Sequence, residues 1–200
     1  MLYKMHLSND KKLRDLVHSI ELDELIPNKN IFIALVSAVA SQQLSTKVAA
    51  IIFARFTALY PKHKATPALV LATANDTLRA IGFSNQKVQY IKNIAQFAID
   101  HKITYAYLNK MTDADIITYL TQIKGVGVWT VEMLLIFTLC RPDTFSLGDY
   151  GLQVSAKALY NLDSTNKKEF LKTVEGISSN WAPYRSYAAR LLWNYKDGEK

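Results

Sequence analysis

Only one cysteine, Cys140, occurs in the 200 residues. An intramolecular disulfide is therefore impossible, and so is a four-cysteine zinc or iron–sulfur site. Its setting, Phe137-Thr138-Leu139-Cys140, is an apolar helix end, so a buried structural thiol is expected. The four histidines, His6, His18, His63 and His101, are scattered without an i, i+4 pair, which argues against a catalytic transition-metal site. No uninterrupted apolar run approaches the roughly 20 residues that span a bilayer. The stretch Ile31 to Ala40 comes nearest and is ended by Ser41-Gln42-Gln43. The first residues, Met1-Leu2-Tyr3-Lys4-Met5-His6, lack the apolar segment and cleavage site of a secretory signal, so a cytoplasmic protein is expected. Acid is the other scarcity. Between Leu25 and Ile99 the only acid is Asp76, set against Lys29, Lys47, Arg55, Lys62, Lys64, Arg79, Lys87 and Lys92. A span of that composition carries +7, equal to the net charge of the whole chain, and favours a polyanionic partner. The lysines are dispersed rather than blocked beside an apolar helix face, which makes a membrane the weaker partner.

Half the residues are hydrophobic and only seven are glycine, the composition of a folded chain with a substantial core. The pattern is helical almost throughout, with no alternating strand signal, and the expectation is an all-α fold of about ten helices. Asn30 precedes Ile31–Leu44, and Ser45 precedes a helix that Pro61 closes. Thr73-x-x-Asp76 reads as a capping box for a short helix ended by Gly82. Ser84 caps Asn85–His101, where Val88, Ile91, Ile94, Ala95 and Ala98 share a face. Thr112-x-x-Asp115 opens a helix with Ile116, Leu120 and Ile123 as its buried stripe. Thr130–Cys140 is apolar almost all round and is expected to be central. Further helices run from Asp149 or Tyr150 to about Asn161, from Ser164 or Thr165, and from Pro183 to Tyr195. Two packed lobes with a cleft between them, in one domain spanning 1–200, complete the expectation.

The segment Lys124-Gly125-Val126-Gly127-Val128-Trp129-Thr130 lies between two of these helices. A Gly-x-Gly turn there exposes backbone N–H groups at the positive end of the second helix, a place suited to a phosphate oxygen. By itself Gly-x-Gly is also an ordinary tight turn. Asp149 follows, 22 residues after Gly127, in Gly148-Asp149-Tyr150. It reads first as a helix N-cap, and second as a carboxylate placed to stabilise a positive reaction centre. The two roles are compatible, because helix N-terminal amides favour the charged carboxylate that such chemistry needs.

Taken together, five segments resemble the helix-hairpin-helix DNA glycosylase superfamily, in its monofunctional 3-methyladenine branch. They are Ser41-Gln42-Gln43-Leu44-Ser45-x-Lys47-x-Ala49; Gly82-Phe83-Ser84-x-x-Lys87-x-x-Tyr90-Ile91; the hairpin Ile123–Thr130; Phe145-Ser146-Leu147-Gly148-Asp149-Tyr150; and Trp181-x-Pro183-x-Arg185-Ser186-x-Ala188 with Leu192-Trp193. Each is weak alone; their order over residues 30–195 makes them specific. The resemblance places the hairpin at about 113–140 and implies a compact member, without the N-terminal β-domain of some bacterial relatives.

For function, the resemblance implies hydrolysis of the N-glycosidic bond of alkylated purines, chiefly 3-methyladenine, in damaged duplex DNA. Asp149 matches the catalytic acid. Gly125, Val126, Gly127 and Thr130 match DNA-binding positions of the hairpin. The carbonyls of Thr121, Ile123 and Val126 match ligands of a monovalent cation, Na+ or K+, with no cofactor needed for catalysis. Gln43 and Leu44 fall at the loop that fills the vacated base stack, Leu44 being the better wedge, although it could instead be a core residue. Trp129 and Trp193 match positions lining the pocket for the flipped base, with core packing the alternative for each. Met133 stands where an aromatic is expected, which makes the pocket less aromatic. Trp129 also occupies the position of the lysine nucleophile of lyase-active relatives, so Schiff-base chemistry from that place is excluded. Trp181 and Tyr184 read as structural, and Arg185 either binds phosphate or braces the pocket. A monomer is expected. Competing readings are a glycosylase for an oxidised or deaminated base and a non-catalytic binder of damaged DNA.

Overall fold

The structure, a computed structural model, describes residues 2–198. Among them every regular element is helical: α1 (Leu2–Leu7), α2 (Arg14–Ser19), α3 (Ile31–Ser41), α4 (Thr46–Ala58), α5 (Pro67–Ala72), α6 (Asn75–Ala80), α7 (Asn85–Asp100), α8 (Tyr105–Leu108), α9 (Asp113–Leu120), α10 (Val128–Phe137), α11 (Tyr150–Tyr160), α12 (Lys167–Ser179) and α13 (Arg185–Gly198), with a 3-10 turn at Pro61–His63. The all-α expectation holds, with thirteen helices in place of about ten. The additional ones, such as α1, α2, α5 and α8, have four to six residues, too few for a helical period to show.

Most helix starts follow from a side-chain oxygen. Asn30, Ser45, Ser84 and Thr112 accept the N–H three residues on, capping α3, α4, α7 and α9. The Thr112 and Asp115 pair closes reciprocally, the Thr112 hydroxyl donating to the Asp115 carboxylate at 2.6 Å. Two expected starts are corrected. Thr73 does not cap α6, whose N-cap is Ala74; its hydroxyl donates back to the Leu69 carbonyl of α5 at 2.8 Å and meets the Tyr60 hydroxyl. Helix α12 begins after Asn166, because Asp163 has already taken the N–H and hydroxyl of Thr165 in a local turn.

Two compact units divide the chain. Pro27–Leu139 forms one. Its core collects Ile31, Leu35 and Val39 of α3 with Val88, Ile91 and Ile94 of α7 and Val131, Leu134 and Leu135 of α10. Each such buried aliphatic side chain contributes roughly 1.5–3 kcal/mol. Helix α10 is less enclosed than its composition suggests, since Val128 and Phe137 at its ends are about half exposed.

The other unit joins the segment up to Ile26 to the residues from Cys140 onward. Tyr3, Leu7, Leu13 and Val17 pack with Trp181, Ala188, Leu191 and Leu192. Tyr3 stacks on Tyr187 with ring centroids 4.4 Å apart. Asp10 ties the two stretches together. One carboxylate oxygen accepts the Tyr160 hydroxyl at 2.6 Å and the Trp181 indole N–H at 3.0 Å; the other accepts the N–H groups of Lys12 and Leu13. Trp181 is thus structural, as expected. Cys140 is half-buried with φ +55 just beyond α10, and burial pushes its thiol up.

Burial pushes the Asp10 carboxyl up, but the hydrogen bonds from Tyr160, Trp181, Leu13 and Lys12 outweigh it and hold the group below the usual carboxylate range. A depressed folded value stabilises the protein above the ordinary carboxylate pKa, and that contribution is lost as pH falls through the folded value. Asp10→Asn is therefore expected to lose about 2 kcal/mol at neutral pH. In thermal melts from pH 7 downward, the gap to wild type should close below the ordinary carboxylate range; a gap independent of pH would contradict the assignment.

Candidate nucleic-acid interface and active-site carboxylate

The hairpin between α9 and α10 is built from two short turns. Ile123 N–H reaches the Leu120 carbonyl at 3.1 Å, and Val126 N–H reaches the Ile123 carbonyl at 2.9 Å. The side chains of Ile123 and Val126 are buried and anchor the turn, while Lys124 and Gly127 face outward. Gly125 has φ +105, and a Cβ there would stand 2.1–2.6 Å from ring carbons of Tyr90, so the aromatic ring lies where a side chain would be. Asn93 adds a hydrogen bond from its amide to the Lys124 carbonyl at 3.0 Å. Gly127 is the N-cap of α10 and offers no side-chain cap to the first turn. A Cβ on Gly127 would meet nothing within 4 Å, so the backbone at the head of α10 is approachable from outside. Uncapped N–H groups at a helix N-terminus are a ready anion site.

The loop between α3 and α4 belongs to the same unit. Gln43 is exposed, with φ +58, and Leu44 is 37% exposed. Leu44 is therefore not a core residue. Gln42 turns inward, donating from Nε2 to Thr130 Oγ1 at 3.0 Å and to the Gly125 carbonyl at 3.4 Å. Lys87 Nζ donates to the carbonyls of Ala40 and Gln42, both at 2.7 Å.

In the other unit, Asp149 caps α11. Its Oδ1 accepts the Leu152 N–H at 2.8 Å and the Trp193 indole N–H at 2.9 Å. A Cβ on Gly151 would stand 3.0 Å from that same oxygen and 3.2 Å from the Trp193 ring. Glycine at 151 therefore lets the tryptophan reach the carboxylate. Ser155 fastens α11 to α13 behind the pair, its hydroxyl meeting the carbonyls of Gly151 and Leu192 at 3.0 and 2.8 Å. Arg185 forks onto Asp143 at 2.8 and 2.9 Å. The pair ties the start of α13 to the loop that precedes Asp149. Burial pushes the Asp143 carboxyl up, but Arg185 more than offsets this and holds it below its usual range.

Residues 36–179 match the family described as HhH-GPD superfamily base excision DNA repair protein. The chain belongs to that superfamily. It is 35% identical over 196 residues to DNA-3-methyladenine glycosylase 1 of Schizosaccharomyces pombe, covering 95% of this chain and 85% of that protein. The solved structure of the S. pombe 3-methyladenine DNA glycosylase in complex with abasic DNA aligns with a TM-score of 0.89 at 33% identity, over 98% of this chain and 97% of the other. A DNA-3-methyladenine glycosidase structure from Bacillus halodurans aligns with a TM-score of 0.81 at 31% identity, over 98% and 90%.

Within this HhH-GPD chain the expected site residues fall into distinct places. Gly125, Val126 and Gly127 form the hairpin, and Gln43 and Leu44 the exposed tip of the α3–α4 loop. Asp149 and Trp193 are hydrogen-bonded to each other. Trp129 is half-buried in the first turn of α10. Met133 lines a cavity of about 310 Å3 with Ile33, Ser37, Phe53, Leu134 and Phe137, and Trp129 is not part of its wall. The Thr130 side chain is 1% exposed and accepts from Gln42, so its hydroxyl supports the neighbouring loop, while its backbone stands in the first turn of α10. Sequence reasoning missed Gln42, Asn93 and Gly151, and took Lys87 for one of the lysines facing a polyanion. Lys87 and Tyr90 stood in a recognised motif; what each touches was not visible there.

The two hairpin glycines predict opposite phenotypes. Gly125→Ala must displace Tyr90 and is expected to lower the melting temperature. Gly127→Ala is expected to melt like wild type yet bind duplex DNA several-fold more weakly, roughly the value of one displaced backbone contact. Calorimetry and fluorescence anisotropy on both variants check this; equal DNA affinity for Gly127→Ala and wild type would remove the head of α10 from the interface.

Proposed function

We propose that this protein is a monofunctional DNA-3-methyladenine glycosylase, which hydrolyses the N-glycosidic bond of alkylated purines in duplex DNA, chiefly 3-methyladenine. The observation that carries the reading is the Asp149 carboxylate, held at the head of α11 by two N–H donors on one oxygen. The chain's similarity to the S. pombe DNA-3-methyladenine glycosylase 1 supports it.

The chemistry follows from the side chains. A purine methylated on a ring nitrogen carries positive charge and departs without a strong acid behind it. The bond to the sugar lengthens, and positive charge accumulates on the ring as an oxocarbenium ion. An oriented carboxylate stabilises that charge and guides water to the anomeric carbon. With Oδ1 engaged by Leu152 and Trp193, the carboxylate plane is set before the substrate arrives, so the stabilisation needs no reorganisation during the reaction. Trp193 thus serves the carboxylate as well as the base. Trp129 supplies no amine, and the sugar is left as an abasic site with the strand intact.

The head of α10, with Gly125, Val126 and Gly127, binds a backbone phosphate. Leu44 enters the stack when the damaged nucleotide turns out. A monovalent cation, Na+ or K+, would be held by the hairpin carbonyls of Thr121, Ile123 and Val126; the Ile123 oxygen accepts one N–H, which leaves it a second lone pair for an ion. Among the described residues no helix is long and apolar enough to cross a membrane. The reading places the protein in the cytoplasm, with the nucleoid in a bacterium.

Methylated duplex DNA is the substrate to offer, with released bases measured by chromatography and strand breaks scored with and without alkali. Release of 3-methyladenine, with breaks only after alkali, is expected. Asp149→Asn should be slower by a factor on the order of several hundred while still binding DNA. Trp193→Phe keeps an aromatic face but loses the donor, and should slow excision about tenfold at unchanged DNA affinity. No release of any methylated purine would turn the reading towards another lesion or a damage binder. Retention of most activity by Asp149→Asn would remove that residue from the mechanism.

A further inference from the structure

Lys87 belongs by sequence to the basic stretch expected to face a polyanion, yet its amine is turned inward. Two of its three donors are taken by the Ala40 and Gln42 carbonyls, at the C-terminal end of α3. Those carbonyls form the negative end of the helix, where an ammonium group is stabilised. Three residues on, the Tyr90 ring fills the space above Gly125, and three further on Asn93 holds the Lys124 carbonyl. One side of α7 therefore grips the base of the α3–α4 loop with Lys87 and the hairpin with Tyr90 and Asn93. Gln42 ties the two loops directly to each other through Thr130 and Gly125. The residues beyond this clamp, Gln43 and Leu44, are the exposed ones.

We propose that Lys87 is a positioning residue for nucleotide extrusion, which holds the Gln43–Leu44 tip rigid against the hairpin and does not itself bind phosphate. A wedge can displace a stacked base only if it does not yield under the load, and the clamp transmits that load to α7 and to the phosphate grip at the head of α10. Burial also pulls the Lys87 amine below its ordinary range, consistent with an internal location. The inference rests on the glycosylase reading for its excision measurements, but extrusion can be read without excision.

The test is Lys87→Met, which keeps the aliphatic stem and deletes the donors. Three measurements are made beside wild type. Affinity for undamaged duplex is followed against salt: a lost phosphate contact lowers the slope of log K against log salt by about one, whereas an internal strut leaves it unchanged. Fluorescence of a 2-aminopurine beside a tetrahydrofuran abasic-site analogue reports unstacking; the rise on binding is expected to shrink. Single-turnover release of 3-methyladenine should fall about tenfold from duplex DNA and stay at the wild-type rate from single strands, where no partner stack resists. In a Leu44→Ala background the same substitution should cost nothing further, since both act through one wedge. A slope lower by one, an unchanged duplex rate, or losses that multiply with Leu44→Ala would each overturn the proposal. Lys87→Gln, whose amide can still donate to one carbonyl, takes the same measurements if Lys87→Met does not fold. Absence of base release by wild type would defeat the glycosylase reading, with the fluorescence and salt results still deciding the role of Lys87.

Discussion

An α-helix cannot pair the N–H groups of its first turn or the carbonyls of its last within itself, and something outside the helix must meet them. In this protein the residues of functional interest cluster at that requirement. Asp149 meets the first turn of α11 with its own oxygen and is thereby aimed. Lys87 meets the last carbonyls of α3 and thereby holds a loop. Gly127 leaves the first turn of α10 without a side-chain cap, which is where the proposed function places a backbone phosphate. Capping, bracing and ligand binding are one physical problem solved three ways, with a carboxylate, an ammonium and a missing side chain.

That view also explains what could be seen in the sequence. A cap acts over three residues, so Asn30, Ser45, Ser84, Thr112 and Asp149 announce themselves locally, and the structure forms all five. Thr73 failed because its hydroxyl had a carbonyl of its own preceding helix within reach, a competition that spacing alone does not reveal. Helices of four to six residues escaped because less than two turns carry no period. The supports of the site were hidden for a different reason. Gln42 meets Thr130 across 88 residues, Lys87 meets Gln42 across 45, and Trp193 meets Asp149 across 44. Residue type could nominate Lys87 as a phosphate ligand and Trp193 as a base platform. Only the fold shows the first spent on carbonyls and the second on a carboxylate.

The two glycines of the hairpin, identical in the motif, do unlike work. Gly125 is required by packing, because Tyr90 occupies its missing side chain. Gly127 is required by nothing inside the protein, since open space surrounds it. Its absence of a side chain matters only to something arriving from outside. The contrast separates what keeps the turn folded from what keeps it useful, and Gly151, crowded by Asp149 and Trp193, belongs with the first kind.

The division of the chain carries a consequence for its synthesis. Pro27–Leu139 is a contiguous unit, and all the residues of its core have been made once Leu139 is added. The N-terminal segment stands otherwise. Asp10 finds Tyr160 and Trp181 at separations of 150 and 171 residues, and Tyr3 stacks on Tyr187. During synthesis these early residues emerge long before their partners, while the middle of the chain can already fold. Their contacts are the most non-local described here, the kind whose loop-closure entropy is met late and which forms slowly. Asp149 and Trp193, to which the proposed function assigns the chemistry, lie in that late unit, so a chain halted before Trp193 would carry the hairpin but lack the Asp149–Trp193 pair.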